Sequence, residues 1–141
     1  MVAMMRKQQG FTLIELLVVV SLLAVVSAAA VLAMPSPARK QLEEEALRMA
    51  TLMEIARAQS RASGLPVYLH VQEQGFEFEG SSVVRKLSSR WLYENTSANK
   101  QLLQLGPEPV IAAQTLRLAG AGGQQVVLQT DGVSPFDVQA P

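Results

Sequence analysis

Residues 16–34 carry no charge, and only two serines interrupt their apolar side chains. At about 1.5 Å per residue, a helix of this length nearly spans a hydrocarbon core of roughly 30 Å. The run therefore predicts a helix that crosses a membrane. Arg6 and Lys7 precede it, so the positive-inside rule keeps the N-terminus in the cytoplasm and sends the rest of the chain outward.

Two prolines, Pro35 and Pro37, follow the apolar run and predict a kink or a short break, because each removes a helical hydrogen bond. From Ala38 onward, apolar residues recur at three- and four-residue spacing, which predicts an amphipathic helix. Gly64, with Pro66 after it, marks the end of that helix. The apolar stripe consists of Leu42, Ala46, Met49, Ala50, Met53 and Ala56.

Charged residues on this second helix are expected on its solvent side. Glu44 and Glu45 are spaced to pair with Arg48, and Glu54 is spaced to pair with Arg57, each pair contributing a few tenths of a kcal/mol. The acidic cluster at residues 43–45 is interpreted as a solvated face, with contact to a neighbouring molecule as the alternative.

After Gly64 the hydrophobic period changes to two, which predicts β-strands. Residues 67–71 and 76–78 form a predicted hairpin that packs on the helix stripe. Further strands are expected at residues 115–119, 125–130 and 134–139, with residues 91–93 anchoring another strand and residues 106–109 forming a loop. The expected fold is α+β, a long N-terminal helix packed on an antiparallel sheet.

The length and composition of the chain exclude several classes of protein. The 141 residues fit one small domain with a short appendage, which excludes a large multidomain enzyme. Twelve Lys and Arg balance twelve Asp and Glu, so the cationic excess expected of a general nucleic-acid binder is missing. With no cysteine and one histidine, neither a disulfide framework nor a thiolate metal site is expected.

A cleavable secretory signal is the simplest alternative for the N-terminus, since residues 28–30 are alanines that fit a cleavage site. The apolar region, residues 11–34, is longer than such signals usually have, and it contains Glu15. A carboxylate in a membrane helix costs up to about 2.5–3.5 kcal/mol. Its presence suggests a partner rather than an ordinary signal peptide.

The hexapeptide from Gly10 to Glu15, Gly-Phe-Thr-Leu-Ile-Glu, follows a short basic leader and precedes the apolar run. This pattern resembles the signal of type IV pilins and type II secretion pseudopilins. The resemblance implies that a membrane aspartyl prepilin peptidase cuts between Gly10 and Phe11 and methylates the new N-terminal Phe11. It also implies an assembly role for Glu15, which pairs with the terminal amine of a neighbouring subunit in that family.

The chemistry of the segment agrees with this resemblance. Cleavage after Gly10 would remove Arg6 and Lys7 and expose an α-ammonium on Phe11, one turn from the Glu15 carboxylate. In a low-dielectric setting such a charge pair fixes the register of adjacent helices. The alternative is a Glu15 side chain that merely reaches the membrane interface.

Further segments are similar to the H-type minor pseudopilin of type II secretion and its relatives among minor pilins. They are the helix end at residues 58–67, the hairpin at 75–78, Trp91, and the segment at residues 131–136. The middle of the chain is unmatched. The resemblance divides the chain into a leader (1–10), a transmembrane and assembly helix (11–34), an amphipathic helix (35–63) and a periplasmic antiparallel β domain (64–141).

No catalytic constellation with a definite spacing is present, so we expect no enzyme, no cofactor and no metal. His70 lies in a predicted strand without a Cys or His partner. Asp131 and Gly132 are interpreted as a turn rather than a cation ligand. The glycines at 120, 122 and 123 lack the helix and lysine of a phosphate-binding loop.

The resemblance implies a structural subunit near the tip of the type II secretion pseudopilus, which helps export folded exoproteins across the outer membrane. Its expected partners are other minor and major pseudopilins, the prepilin peptidase, the inner-membrane assembly platform and secreted exoproteins, with no nucleic acid. The expected location is the inner membrane, in a single pass, with the C-terminal domain in the periplasm. A minor type IV pilin for pilus assembly, adhesion or DNA uptake is the alternative, and a membrane-anchored periplasmic enzyme is a third class.

Overall fold

A computed structural model describes residues 11–139 of the chain. The chain divides into two compact units between Pro35 and Ser36. The first unit contains helix α1 (Leu13–Leu32), and the second contains helix α2 (Pro37–Ser63) and two antiparallel sheets. This is the expected α+β architecture, an N-terminal apolar helix followed by a second helix and antiparallel sheets.

Helix α1 has 20 residues, none of them buried. Its mean hydropathy reaches 2.6, and by length and composition it can cross a membrane. A helix that is apolar on every side needs lipid or other protein around it. The predicted membrane-crossing segment is therefore a helix with the length and composition that such a segment requires.

The predicted break at the prolines is present, since α1 ends at Leu32 and α2 begins at Pro37. The Ser36 side chain caps α2 by accepting a hydrogen bond from the backbone N–H of Arg39 (3.3 Å). Gly64 ends α2 in the left-handed conformation (φ 67°), with its N–H donating to the Ser60 carbonyl (2.9 Å). Both ends follow from the local sequence.

In residues 11–139, seven strands form the two sheets, and every pairing between these strands is antiparallel. The three-stranded sheet has the order β2-β1-β4, and the four-stranded sheet has the order β3-β5-β6-β7. Their bounds are β1 (Val67–Gln72), β2 (Gly75–Glu79), β3 (Ser97–Ala98), β4 (Gln101–Gly106), β5 (Gln114–Ala119), β6 (Gln125–Thr130) and β7 (Asp137–Gln139).

One core lies between α2 and the inner faces of both sheets. The predicted helix stripe is buried, and alternate residues of the strands face it, as the period of two requires. The sheet side chains that meet the helix include Leu69, Phe76, Phe78, Leu103, Leu116 and Leu128. The hairpin of β1 and β2 thus packs on the helix as predicted.

Two strand predictions are wrong in detail. Residues 91–93 form an irregular segment rather than a strand, and β7 begins at Asp137 rather than at residue 134. The pattern also missed β4, because the exposed Leu102 stands directly before the buried Leu103 and obscures the alternation. The segment at residues 91–93 is held next to α2 because its backbone N–H groups donate hydrogen bonds to the Glu45 side chain of the helix.

Candidate functional site

The N-terminal residues that the sequence singled out lie at the start of α1. Thr12 caps the helix, and its Oγ1 accepts a hydrogen bond from the N–H of Glu15 (3.4 Å). Thr12 and Glu15 have the spacing of a capping box, in which an acidic third residue favours the helix start. Phe11 is exposed, and Gly10 lies outside the described residues.

Glu15 makes no ion pair within residues 11–139. It lies in the first turn of α1, so a carboxylate and an α-ammonium on Phe11 would stand within one helical turn of each other. The pairing of Glu15 with a neighbouring subunit, and the cleavage between Gly10 and Phe11, stay predictions.

In the second unit, Glu45 is fully buried, contrary to the solvated face expected for the acidic cluster. Its carboxylate accepts hydrogen bonds from the backbone N–H groups of Leu92 and Tyr93 and pairs with Arg48 (2.6 Å). Arg48 in turn donates to the Arg90 carbonyl (3.2 Å). This arrangement, the first clamp, holds the irregular segment against α2. Removing one partner from a fully buried pair costs about 3–5 kcal/mol, and the cost here is smaller because the Arg48 side chain is 27% exposed.

Glu44, the exposed neighbour of Glu45, accepts a hydrogen bond from the Tyr93 hydroxyl. That bond is the largest cause of a raised Tyr93 pKa, with partial desolvation and the charges of Glu44 and Glu45 adding to it. Because the fold favours the neutral phenol, the contribution of Tyr93 to folding stability is complete below the usual tyrosine pKa of 10.0. The contribution is lost as pH rises through the raised pKa.

A second clamp lies nine residues further along α2. Arg57 is 2% exposed and pairs with Glu54 (3.1 Å). Its guanidinium donates to the carbonyls of Ser134 (3.0 Å) and Gly132 (3.2 Å), while Glu54 accepts from the N–H of Phe136 (3.1 Å). The expectation that this pair lies on the solvent side is therefore wrong. The pair anchors residues 132–136 to the helix.

The turn that the second clamp holds is organised by Asp131, as the sequence predicted. Its carboxylate accepts from the N–H groups of Ser134 (2.7 Å) and Val133 (2.9 Å). The bond from Ser134 is the largest cause of a lowered Asp131 pKa, and the bond from Val133 is the next largest. The turn's contribution to stability is therefore complete above the usual Asp pKa of 3.8 and is lost as pH falls through the lowered pKa.

The sequence did contain a signal for both clamps. Glu45 lies three residues after Leu42 and four before Met49, so it stands on the apolar stripe itself. Arg57 likewise follows Met53 by four residues. A charged residue in register with a buried stripe requires a partner, and what the sequence did not show was which distant loop supplies it.

The other residues that the sequence singled out are His70 and the glycines at 120, 122 and 123. The His70 Nε2 lies 2.7 Å from a Glu79 carboxylate oxygen on the neighbouring strand, and both side chains are exposed. Residues 120–123 lead into β6 rather than into a helix. In residues 11–139, no group of three or more His, Cys, Asp or Glu is placed to hold a metal ion.

Comparison with known proteins gives one finding at the N-terminus. The prokaryotic N-terminal methylation motif matches residues 5–31, which overlap α1 and include Gly10, Phe11 and Glu15. The chain matches no curated protein and no solved structure.

The methylation motif and the apolar helix fit a type IV pilin-like protein, either a pilin or a pseudopilin. The motif implies processing by a prepilin peptidase and assembly with other pilin-like subunits. The single apolar helix fits anchoring of such a protein in a membrane.

Proposed function

We propose that the chain is a minor pseudopilin, a structural subunit near the tip of the type II secretion pseudopilus that helps export folded exoproteins across the outer membrane. The observation that carries the proposal is the methylation motif at residues 5–31, which coincides with an apolar helix whose first turn holds Glu15. The globular domain then stands in the periplasm, and the chain has no catalytic role.

Helix α1 supplies the mechanism in this proposal. Apart from Glu15, its surface is uncharged, which is stable in lipid and equally stable among the apolar helices of other subunits, so the chain can leave the membrane without unfolding. The Glu15 carboxylate, paired with the α-ammonium of a neighbour, sets the axial position of each subunit. Assembly driven at the inner membrane then pushes exoproteins towards the outer-membrane pore.

The choice of the H-type pseudopilin rests on segments outside α1. Two of the resembling segments, Trp91 and residues 131–136, adjoin or form the loops that the clamps of α2 hold. Trp91 also packs against Phe76 of the hairpin, with ring centroids 4.9 Å apart. Trp91 and residues 131–136 are thus packed parts of one domain.

A minor type IV pilin for pilus assembly, adhesion or DNA uptake is the second candidate. DNA binding favours exposed cations near the C-terminus. No Lys or Arg follows Arg117, whereas Asp131 and Asp137 do, so the pseudopilin is favoured.

Deletion of the gene in its host tests this choice. We expect exoproteins to accumulate in the periplasm and to fall several-fold in the culture supernatant, with pilus number and DNA uptake unchanged. Complementation with the full chain should restore secretion. Normal secretion together with loss of pili or of DNA uptake would favour the minor pilin and contradict the pseudopilin.

Processing is a separate prediction, because it concerns the whole pilin-like class. We expect membrane-extracted protein to begin at N-methylated Phe11, since the leader has the cleavage pattern Gly10-Phe11 with Glu15 after it. Intact-mass measurement and N-terminal sequencing check this, with a strain lacking the prepilin peptidase as the control. A chain that begins at Val31 would show ordinary signal cleavage instead.

A further inference from the structure

β4 is an edge strand of the three-stranded sheet, and within residues 11–139 glutamine side chains rather than a backbone ladder join it to β5 of the other sheet. The Gln114 side chain accepts a hydrogen bond from the Gln104 N–H (3.1 Å) and donates to the Gln104 carbonyl (2.7 Å). The Gln101 side chain donates to the Thr115 carbonyl (3.2 Å). We call these four residues the β4–β5 seam.

Gln114 occupies the place of a neighbouring strand. A side-chain amide offers one carbonyl and N–H donors, as a peptide group does, and here both bond the same backbone residue. Alternate residues of a strand direct their backbone groups to the same edge, so those of Leu102 also face the seam.

A small pocket, lined by both apolar and polar residues, adjoins one end of the seam. Its volume is about 320 Å³, and its apolar lining is Leu102, Val110, Ile111 and Ala112. Leu102 is 58% exposed and Val110 is 61% exposed. Its one carboxylate, on Glu108, already accepts a hydrogen bond from the Gln104 side chain (3.3 Å). The pocket therefore suits an uncharged, apolar side chain.

A larger, polar pocket of about 700 Å³ adjoins the other end. Lys100 and Arg117 line it, and neither makes an ion pair within residues 11–139. Glu73 is the one acidic residue in the lining, so the cations outnumber the carboxylate. This end of the seam suits an anionic group.

We propose that the β4–β5 seam binds an extended segment of another polypeptide chain, which pairs with the edge of β4 in place of Gln114. The segment places an apolar side chain in the pocket at Leu102 and Val110 and a carboxylate beside Lys100 and Arg117. A polypeptide is the occupant because only a peptide backbone supplies donors and acceptors at strand spacing.

The test uses the full-length processed protein in detergent micelles and two short capped, fluorescent peptides of alternating Ser and Val. One peptide carries Asp at its N-terminal end and the other at its C-terminal end, to cover both strand directions. We expect one of them to bind, and Gln114→Ala to strengthen its binding about tenfold, because the competing side chain is removed. Fluorescence anisotropy measures the affinity.

Matched variants test the two cations and the backbone pairing separately. Replacing Lys100 and Arg117 by Gln should weaken binding about tenfold and remove its salt dependence, whereas Lys86→Gln, an exposed cation elsewhere, should change nothing. Peptides N-methylated at alternate residues cannot form the ladder and should lose binding. If the Gln114→Ala protein, with an unchanged circular dichroism spectrum, binds neither peptide better than its N-methylated form, Gln114 is only a permanent cap of the β4 edge and the proposal is overturned.

Discussion

Replacing Glu15 by Gln should lower incorporation of the processed chain into its assembly by about a hundredfold, while expression and cleavage persist. Gln keeps the shape and the hydrogen-bonding atoms but removes the only formal charge in α1. Loss of one partner from a desolvated ion pair costs about 3–5 kcal/mol, which corresponds to a change of about a hundredfold or more. Membrane insertion itself becomes easier without the carboxylate.

Cross-linking of the variant to other pilin-like subunits in membranes, together with secretion of exoproteins, measures the effect. Ser21→Ala is the matched control, because it removes a polar group whose one hydrogen bond, to the Leu17 carbonyl (2.8 Å), stays within the helix. Glu15→Asp should retain part of the function through its charge. Normal cross-links and secretion from a cleaved Glu15→Gln protein would show that the carboxylate is a passive interface residue.

Gly132→Ala should lower the free energy of unfolding of the globular domain by more than about 4 kcal/mol. Single substitutions have effects of this size only when they cause a severe steric or burial defect. Gly132 has φ 96°, which a side chain rarely adopts, and an added Cβ would stand 1.9 Å from the Ile111 carbonyl oxygen. Relief of that clash would move the turn away from the Arg57 guanidinium, which donates to the Gly132 carbonyl. The second clamp and the turn would be lost together.

Gly122→Ala separates strain from clash, because Gly122 has φ 71° but its added Cβ would meet nothing within 4 Å. We expect this control to cost only about 1–2 kcal/mol. Urea unfolding of a fragment beginning at Pro35, followed by the fluorescence of the single tryptophan, measures both. α1 contributes no residue to the core. Equal, small effects of the two variants would contradict the role assigned to Gly132.

Elements that bury one face against a single neighbour were predictable from local pattern. The stripe of α2 and the alternation in β1 and β2 each repeat at the period of their own geometry, so burial follows from spacing alone. The ends of α2 are equally local, since Ser36 and Gly64 act on backbone groups within one turn.

Elements that depend on distant partners were not predictable in this way. Residues 91–93 are aromatic and apolar enough for a strand. The N–H groups of Leu92 and Tyr93, however, donate to the Glu45 carboxylate, which lies 47 and 48 positions earlier in the sequence. β4 carries Leu102 on its exposed side, where the pattern demands a polar residue, and its outer edge is closed by Gln114 rather than by a strand.

The sequence by itself determined the apolar helix α1, which is long enough to cross a membrane, the methylation motif and the α+β order of elements, because these depend on local composition and periodicity. Only the tertiary structure decided that Glu45 and Arg57 are buried clamps and that glutamines close the β4–β5 seam. The physical reason is that burial of a charge or an amide is stable only when groups far along the chain satisfy its hydrogen bonds. For Arg57 that group is the carbonyl of Gly132, 75 residues away.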